Sequence, residues 1–175
     1  MKKIIIVIMF TLITNISYAA SEKVYLKCEK IVTINKSTTL VDRYAEGNFS
    51  QIALAEILIS KKNTKISVYE PFPGFEKYKE SFNIKLDVVV PKRKAKITDN
   101  SYTVEDGLSG KKLDIIHRYI FTKNDNNWLL KGSVLLRAEG GVDISYITEG
   151  KCILVNKKYY KNLLKNGPTQ EDYNF

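Results

Sequence analysis

The chain has 175 residues, carries 28 basic against 19 acidic side chains for a net charge of +9, and contains two cysteines and one histidine. Two cysteines and one histidine are too few ligands for a zinc site, which takes about four. The two cysteines are also too far apart in the sequence to form the C-x-x-C pair of thiol redox proteins. No D-x-D-x-D-G calcium loop occurs either. We therefore expect neither a metal site nor a cofactor.

Residues 1–19 have the pattern of a bacterial signal peptide. Lys2 and Lys3 precede an apolar run of about ten residues, and Ser17 and Ala19 place small residues where a signal peptidase reads. The run is too short for a membrane-spanning helix, which needs about 20 apolar residues. We expect cleavage after Ala19 and a periplasmic or secreted protein that does not span the membrane.

Residues 20–156 alternate apolar and polar side chains as half-buried strands do. On one such segment the alternation places Leu86, Val88 and Val90 on a common face. Clusters of Gly, Asn and Asp between the segments predict short turns. We predict one all-β domain of roughly eight to ten antiparallel strands. The clearest segments are 24–34, 82–90, 113–121, 128–137 and 142–154, and residues 56–70 have the pattern of a hairpin around Asn63. Residues 50–60 are ambiguous, because their alanines and leucines would tolerate a helix, but their junction with the hairpin favours a strand.

Many sequential antiparallel strands must hide their edges, either by closing a barrel or by stacking two sheets. The regular spacing favours an up-and-down β-barrel, with a two-sheet β-sandwich as the alternative. The outline resembles the small secreted ligand-binding barrels of the lipocalin type, although their Gly-x-Trp motif is absent and Trp128 begins a late strand. A barrel does not by itself imply a ligand.

The C-terminal segment, residues 157–175, differs from the rest. Its first nine residues have helical character, and Gly167 and Pro168 would end a helix there. We predict a short C-terminal helix followed by a frayed tail.

Cys28 and Cys152 are the candidates for a structural disulfide. An exported chain meets oxidising conditions, and one pair of cysteines allows one intramolecular bond. Each cysteine lies on the more apolar face of its predicted strand. If the number of strands is even, the first and last strands of a barrel are antiparallel neighbours, and the bond would join them.

His117 is the single histidine, and a Ser-His-Asp or Cys-His site would need it as the general base. Asp114 would point to the opposite face of the same strand, and both cysteines are committed to the disulfide. No sequence cue selects a pair of carboxylates for glycoside hydrolysis. We predict that the protein is not an enzyme. A cell-envelope hydrolase that uses carboxylates is kept as an alternative.

An aromatic segment between residues 68 and 82 is the strongest candidate binding loop. Pro71 and Pro73 fix φ and Gly74 permits a sharp reversal, which together predict a stiff loop of about ten residues. Rigid aromatic side chains favour contact sites because they lose little entropy on ordering. The alternative is a lid whose rings plug one mouth of the barrel. The candidate residues are Tyr69, Phe72, Phe75 and Tyr78.

A short basic run follows Pro91 and is the candidate patch for an anionic envelope surface. The alternative is a solvated face that discourages edge-to-edge pairing of strands. Because we expect the protein to be exported, we do not expect nucleic acid to be its partner. The residues of this basic patch are Lys92, Arg93, Lys94 and Lys96.

These features favour a non-catalytic exported β-domain that binds a small hydrophobic ligand or a protein partner, in the manner of an inhibitor or immunity protein. A structural envelope component that binds anionic polymers is a further alternative. The sequence selects none of these partners by chemistry.

Overall fold

Nine antiparallel strands and one α-helix form the part of the chain that the computed structural model describes, which is residues 21–36, 47–60, 63–71, 85–110, 113–125, 127–138 and 142–173. The strands are β1 (Glu22–Lys36), β2 (Gly47–Ile59), β3 (Lys65–Glu70), β4 (Asp87–Lys94), β5 (Lys96–Thr98), β6 (Ser101–Ser109), β7 (Leu113–Asn124), β8 (Asn127–Ala138) and β9 (Val142–Leu154). The helix α1 (Lys157–Asn166) and a short 3₁₀ helix (Gln170–Tyr173) follow.

The strands form a single, nearly closed barrel in the order β4-β3-β2-β1-β9-β8-β7-β6-β5. The closure lies where β4 and β5 meet, because Ala95 alone separates them and the chain changes its partner there from β3 to β6. The Ala95 amide donates to the Thr64 carbonyl oxygen (2.8 Å), and Arg93 on β4 pairs with Asp106 on β6 (2.8 Å). The predicted up-and-down barrel is therefore confirmed.

The predicted disulfide joins the first and last strands of the barrel. Cys28 on β1 lies directly opposite Cys152 on β9 in the antiparallel register, and their sulfur atoms are bonded across 124 positions of sequence. Because β4 and β5 are two parts of one strand, the barrel consists of eight consecutive runs, and this even number makes β1 and β9 antiparallel.

Helix α1 covers the outer face of the first strands. Tyr160 and Leu163 are buried against Ile52 and Leu54 of β2. The helix begins where the Asn156 side chain accepts a hydrogen bond from the Tyr159 amide (2.9 Å), as an N-cap residue does. Among the described residues, no helix has the length and apolar character needed to cross a membrane.

The prediction of a frayed tail is corrected as far as Tyr173. Asp172 is buried and accepts hydrogen bonds from the Thr169 amide (2.7 Å) and from the Tyr159 hydroxyl. The Lys27 ammonium, on the outer face of β1, donates to the Asp172 carbonyl oxygen (2.7 Å). These contacts fix the end of the chain against α1 and the barrel.

One predicted face is wrong in the structure. Val90 is buried in the barrel and Leu86 is buried in the cluster beneath α1, but Val88 is 52% exposed. The register between β3 and β4 shifts on both sides of Val68. A bulge of this kind breaks the alternation, so residues that are two apart no longer share a face.

Candidate functional site

The barrel interior contains a buried ion pair. On β1, Lys30 lies on the same face as Cys28 and Val32, and on β3, Glu70 follows Val68 on the inward face. Both charged side chains are about 1% exposed, and the Lys30 ammonium donates a hydrogen bond to Glu70 Oε2. Strand alternation therefore places these two charges inside the barrel together with the apolar core.

Tyr119 completes the hydrogen bonding of the Glu70 carboxylate. Its hydroxyl donates to Glu70 Oε1 (2.5 Å). Burial raises the pKa of Tyr119 well above its usual range, and the Glu70 charge and the hydrogen bond raise it further. Gly132 on β8 makes room for the ring, because a Cβ there would lie 2.7 Å from Tyr119 Cδ1. Each oxygen of Glu70 thus has one donor.

His117 lies beside this group on β7. Its Nδ1 is 3.5 Å from the Tyr119 hydroxyl, and the two rings are stacked with centroids 6.3 Å apart. Burial lowers the pKa of His117. The charges of Glu70 and Asp106 oppose this shift, and the charge of Lys30 adds to it. Asp114, which is the nearest acid in the sequence, accepts a hydrogen bond from Ser109 instead (2.7 Å).

Two further polar side chains in the interior lack hydrogen-bond partners among the described residues. Neither the nitrogen nor the oxygen of the Gln51 amide has a hydrogen-bond partner in the described structure, and the Thr148 hydroxyl has none. Gln51 is 0% exposed and lies opposite Lys30 in the register, while Thr148 lies opposite Gly132. We refer to this group as the polar cluster, which consists of Lys30, Gln51, Glu70, His117, Tyr119 and Thr148.

Apolar residues lie on both sides of the polar cluster along the barrel. The main core, around the disulfide, occupies one side. On the other side Val32, Val134 and Tyr146 form a smaller group, against which Ile115 and Leu136 pack. We call these five residues the second apolar cluster. A molecule held here would meet hydrogen-bonding groups at one end and apolar side chains at the other.

The predicted aromatic loop lies mostly outside the described residues, and one of its members is corrected. Tyr69 belongs to β3, and its ring packs edge-on against Tyr160 of α1 with centroids 6.4 Å apart. Phe72, Phe75 and Tyr78 lie outside the residues that the structure describes.

The segment with those three residues connects Glu70 to Asp87, which are register partners at the ends of β3 and β4. It therefore leaves β3 directly after a member of the polar cluster.

The basic patch lies on the strand that closes the barrel. Lys92, Arg93 and Lys94 are in β4 and Lys96 is in β5, and all four are exposed. Arg93 pairs with Asp106, so one of the four charges has an acidic partner. The run continues β4 beyond Pro91, so the patch lies on strands.

The outer surface of β1, β8 and β9 has a groove of about 670 Å³, among whose lining residues are Ile31, Leu129 and Ile153. Ile31 and Ile153 are 55% and 42% exposed. Charged residues also line this groove, including the pair formed by Lys131 and Glu149 (3.2 Å). We call it the outer groove.

The polar cluster was not predicted from the sequence as a site, although part of its signal is present there. Lys30 falls in step with Cys28 and Val32 in the period-two pattern of β1. A lysine at an inward position needs a buried partner, which could have marked the interior of the barrel as polar. Which residue supplies the partner depends on the stagger of the strands, which the pattern does not contain.

Among the described residues, no group of three or more His, Cys, Asp or Glu side chains could hold a metal ion. The functional interpretation therefore depends on the geometry of the polar cluster and of the surface. Comparison with protein-family models, with curated proteins and with solved structures found no match to this chain.

Proposed function

We propose that the protein is an exported, non-catalytic binding protein that holds a small ligand inside the barrel, between the polar cluster and the second apolar cluster. The observation that carries this proposal is the Gln51 side chain, which is fully buried while both atoms of its amide lack a hydrogen-bond partner in the described structure. A ligand with polar and apolar parts would complete these bonds.

The energetics of the interior support a role beyond folding. A buried polar group without a partner costs about 1 to 3 kcal/mol, and a buried ion pair is often no more stabilising than apolar residues of the same volume. Two apolar residues could have filled the positions of Lys30 and Gln51, as the register partners Leu26 and Ala55 do two inward positions along the strands. Costs of this kind recur at functional sites.

The arrangement of the cluster supports binding rather than catalysis. Each oxygen of the Glu70 carboxylate accepts a hydrogen bond from a buried side chain, and catalytic carboxylates commonly keep a position open for substrate or water, so this arrangement favours a structural role for Glu70. The raised pKa of Tyr119 keeps its hydroxyl protonated at neutral pH. Among the described residues no carboxylate forms a hydrogen bond with His117, whose side-chain contact is the Tyr119 hydroxyl, so the imidazole is not oriented as in a catalytic triad.

We also propose that the protein is exported from the cytoplasm. The Cys28–Cys152 disulfide fits an oxidising compartment such as the periplasm or the medium. The predicted signal peptide, residues 1–19, lies outside the described residues.

A protein partner on the outer groove is the second candidate. The exposed Ile31 and Ile153 that line the groove favour it, because apolar side chains in a concave surface are typical of contact sites. In this case the interior cluster would be filled by ordered water, which commonly satisfies buried polar groups.

Native mass spectrometry of protein released gently from the periplasm or the medium tests both candidates. We expect the native mass to exceed the denatured mass by that of a small molecule. The same measurement on Gln51→Leu should show the bare chain. Gln170→Leu is the matched control, because Gln170 is the other glutamine of the chain and is exposed, and it should retain the ligand.

Equal native and denatured masses for the unchanged protein would contradict a ligand in the barrel. An adduct of protein size that Gln51→Leu retains would favour the outer groove instead. Loss of the small molecule in both glutamine variants would show that Gln51 is not its specific contact.

A further inference from the structure

We infer that the group of the ligand that enters the polar cluster is uncharged and amide-like, with a carbonyl oxygen and an N–H side by side, and that Gln51 selects it. This inference rests on the proposed function and names the chemical class of the ligand. Lactams, cyclic imides, primary amides and the amide edges of heterocycles belong to this class.

The first step is the balance of donors and acceptors in the cluster. Both oxygens of Glu70 are engaged, by Lys30 and by Tyr119. Among the described residues the Lys30 ammonium makes one hydrogen bond, to Glu70, and neither the Gln51 amide nor the Thr148 hydroxyl has a partner. These groups offer more donor hydrogens than acceptor atoms, so the complementary ligand group is rich in acceptors and carries at least one donor for the Gln51 oxygen.

The second step is charge. Lys30 and Glu70 neutralise one another in the interior, and His117, whose pKa is lowered chiefly by burial, is uncharged at neutral pH. A carboxylate or phosphate would therefore bring an unpaired negative charge into a buried site, at a high desolvation cost. An ammonium group would do the same with positive charge and would also meet a surplus of donors. A neutral group avoids both costs.

The third step is the shape of the Gln51 side chain. Its oxygen and its NH₂ lie in one plane, and neither has a partner among the residues that the structure describes. Another amide with its carbonyl and N–H on the same side can form two parallel hydrogen bonds with this plane. A ketone or an ester can form one of the two, and so it leaves the Gln51 oxygen buried without a partner.

Three probes with six-membered rings separate these possibilities, namely δ-valerolactam, cyclohexanone and cyclohexanecarboxylate. The chain has two glutamines, so the side-chain NH₂ signals of Gln51 in a ¹⁵N NMR spectrum can be assigned by their loss in Gln51→Leu. We expect the lactam to move these signals and to bind about tenfold more tightly than either other probe, which corresponds to the second hydrogen bond. The Gln170 signals should stay in place.

Variants test whether Gln51 is the selecting residue. Gln51→Leu should lose the preference for the lactam over the ketone, measured by ligand-detected NMR on the whole folded chain. Gln51→Glu replaces the NH₂ donor by an acceptor oxygen and should weaken lactam binding about tenfold. Gln170→Leu should bind all three probes as the unchanged protein does.

The inference is wrong if cyclohexanone or the carboxylate binds as tightly as the lactam, or if none of the three moves the Gln51 signals. If native mass spectrometry still shows a bound small molecule, either of these results leaves the proposed function standing and contradicts only the amide-like class of the ligand. If native mass spectrometry shows no bound molecule and no probe binds, both the proposed function and the ligand class are contradicted.

Discussion

The barrel interior is built in two different ways on the two sides of Lys30. Toward the disulfide, the inward positions hold large apolar side chains such as Leu26, Phe121, Trp128 and Leu130, all at most 2% exposed. From Lys30 onward, the charged and polar side chains of the polar cluster lie inside at comparable burial, and the second apolar cluster follows them. The same strands build both halves, so the difference comes from the side chains and not from the backbone.

The two halves contribute to stability with opposite sign. Full burial of a Leu or Phe side chain contributes about 1.5 to 3 kcal/mol, whereas a buried polar group without a partner costs about 1 to 3 kcal/mol. The apolar half and its disulfide therefore hold the barrel together. The polar half is maintained at a cost that ligand binding would explain.

The disulfide in the apolar half should give the largest effect. The double variant Cys28→Ala and Cys152→Ala should lower the free energy of unfolding by about 4 to 5 kcal/mol, because the bond constrains a long loop in the unfolded chain. Urea unfolding at equilibrium measures this. Adding a reductant should destabilise the unchanged protein by a similar amount and leave the double variant unaffected. If reduction leaves the unchanged protein as stable as before, the bond does not hold the barrel closed.

In the polar half, the effects of substituting Lys30 and Glu70 on the free energy of unfolding should be strongly non-additive. Lys30→Met leaves the Glu70 charge buried and unpaired, and it should cost about 3 to 5 kcal/mol. The double variant Lys30→Met and Glu70→Leu removes both charges and should be about as stable as the unchanged protein. Urea unfolding of the two single variants and the double variant gives the coupling. Additive losses would show that each side chain has separate partners.

The strands of the apolar half were predictable because one buried face imposes a period of two on the sequence. Cys28 and Cys152 fixed the ends of the barrel from the same pattern. The position at which the barrel closes was not predictable. It lies at Ala95, where the chain stops pairing with β3 and begins to pair with β6, and such long-range pairing is not contained in the period-two pattern. The exposed position of Val88 was missed for a similar reason, since the bulge beside Val68 arises from the register of two strands.

For the polar half, the sequence contains less of the answer. Alternation places Lys30 inside, and pairing of the first two strands would place Gln51 beside it. However, the contact of Glu70 with Tyr119 crosses the barrel from β3 to β7, which are not neighbours in the sheet. Such contacts depend on the stagger and diameter of the barrel, and these are properties of the closed structure.

A direct comparison of the halves uses one substitution in each. Leu130→Ala should lower the free energy of unfolding by about 3 kcal/mol, as deletions in apolar cores do. Gln51→Leu removes a buried amide that has no partner in the described part of the chain, and it should be neutral or raise stability by about 1 kcal/mol. Thermal or urea unfolding of ligand-free protein measures both. A loss of more than about 1 kcal/mol in Gln51→Leu would mean that the amide has a partner that stabilises the fold.

The smallest expected effect is a dependence of stability on pH that comes from His117. Burial lowers its pKa in the folded state from the usual 6.5; Glu70 and Asp106 oppose this, and Lys30 adds to it. The unfolded chain therefore binds a proton more readily than the folded chain as pH falls below 6.5, so the free energy of unfolding should decrease there and level off below the folded-state pKa. His117→Asn should lack this decrease, and the difference between the two pH profiles isolates the His117 contribution from the contributions that both proteins share. Equal profiles, or a stability that rises as pH falls, would show that His117 is not held neutral by the polar half of the barrel.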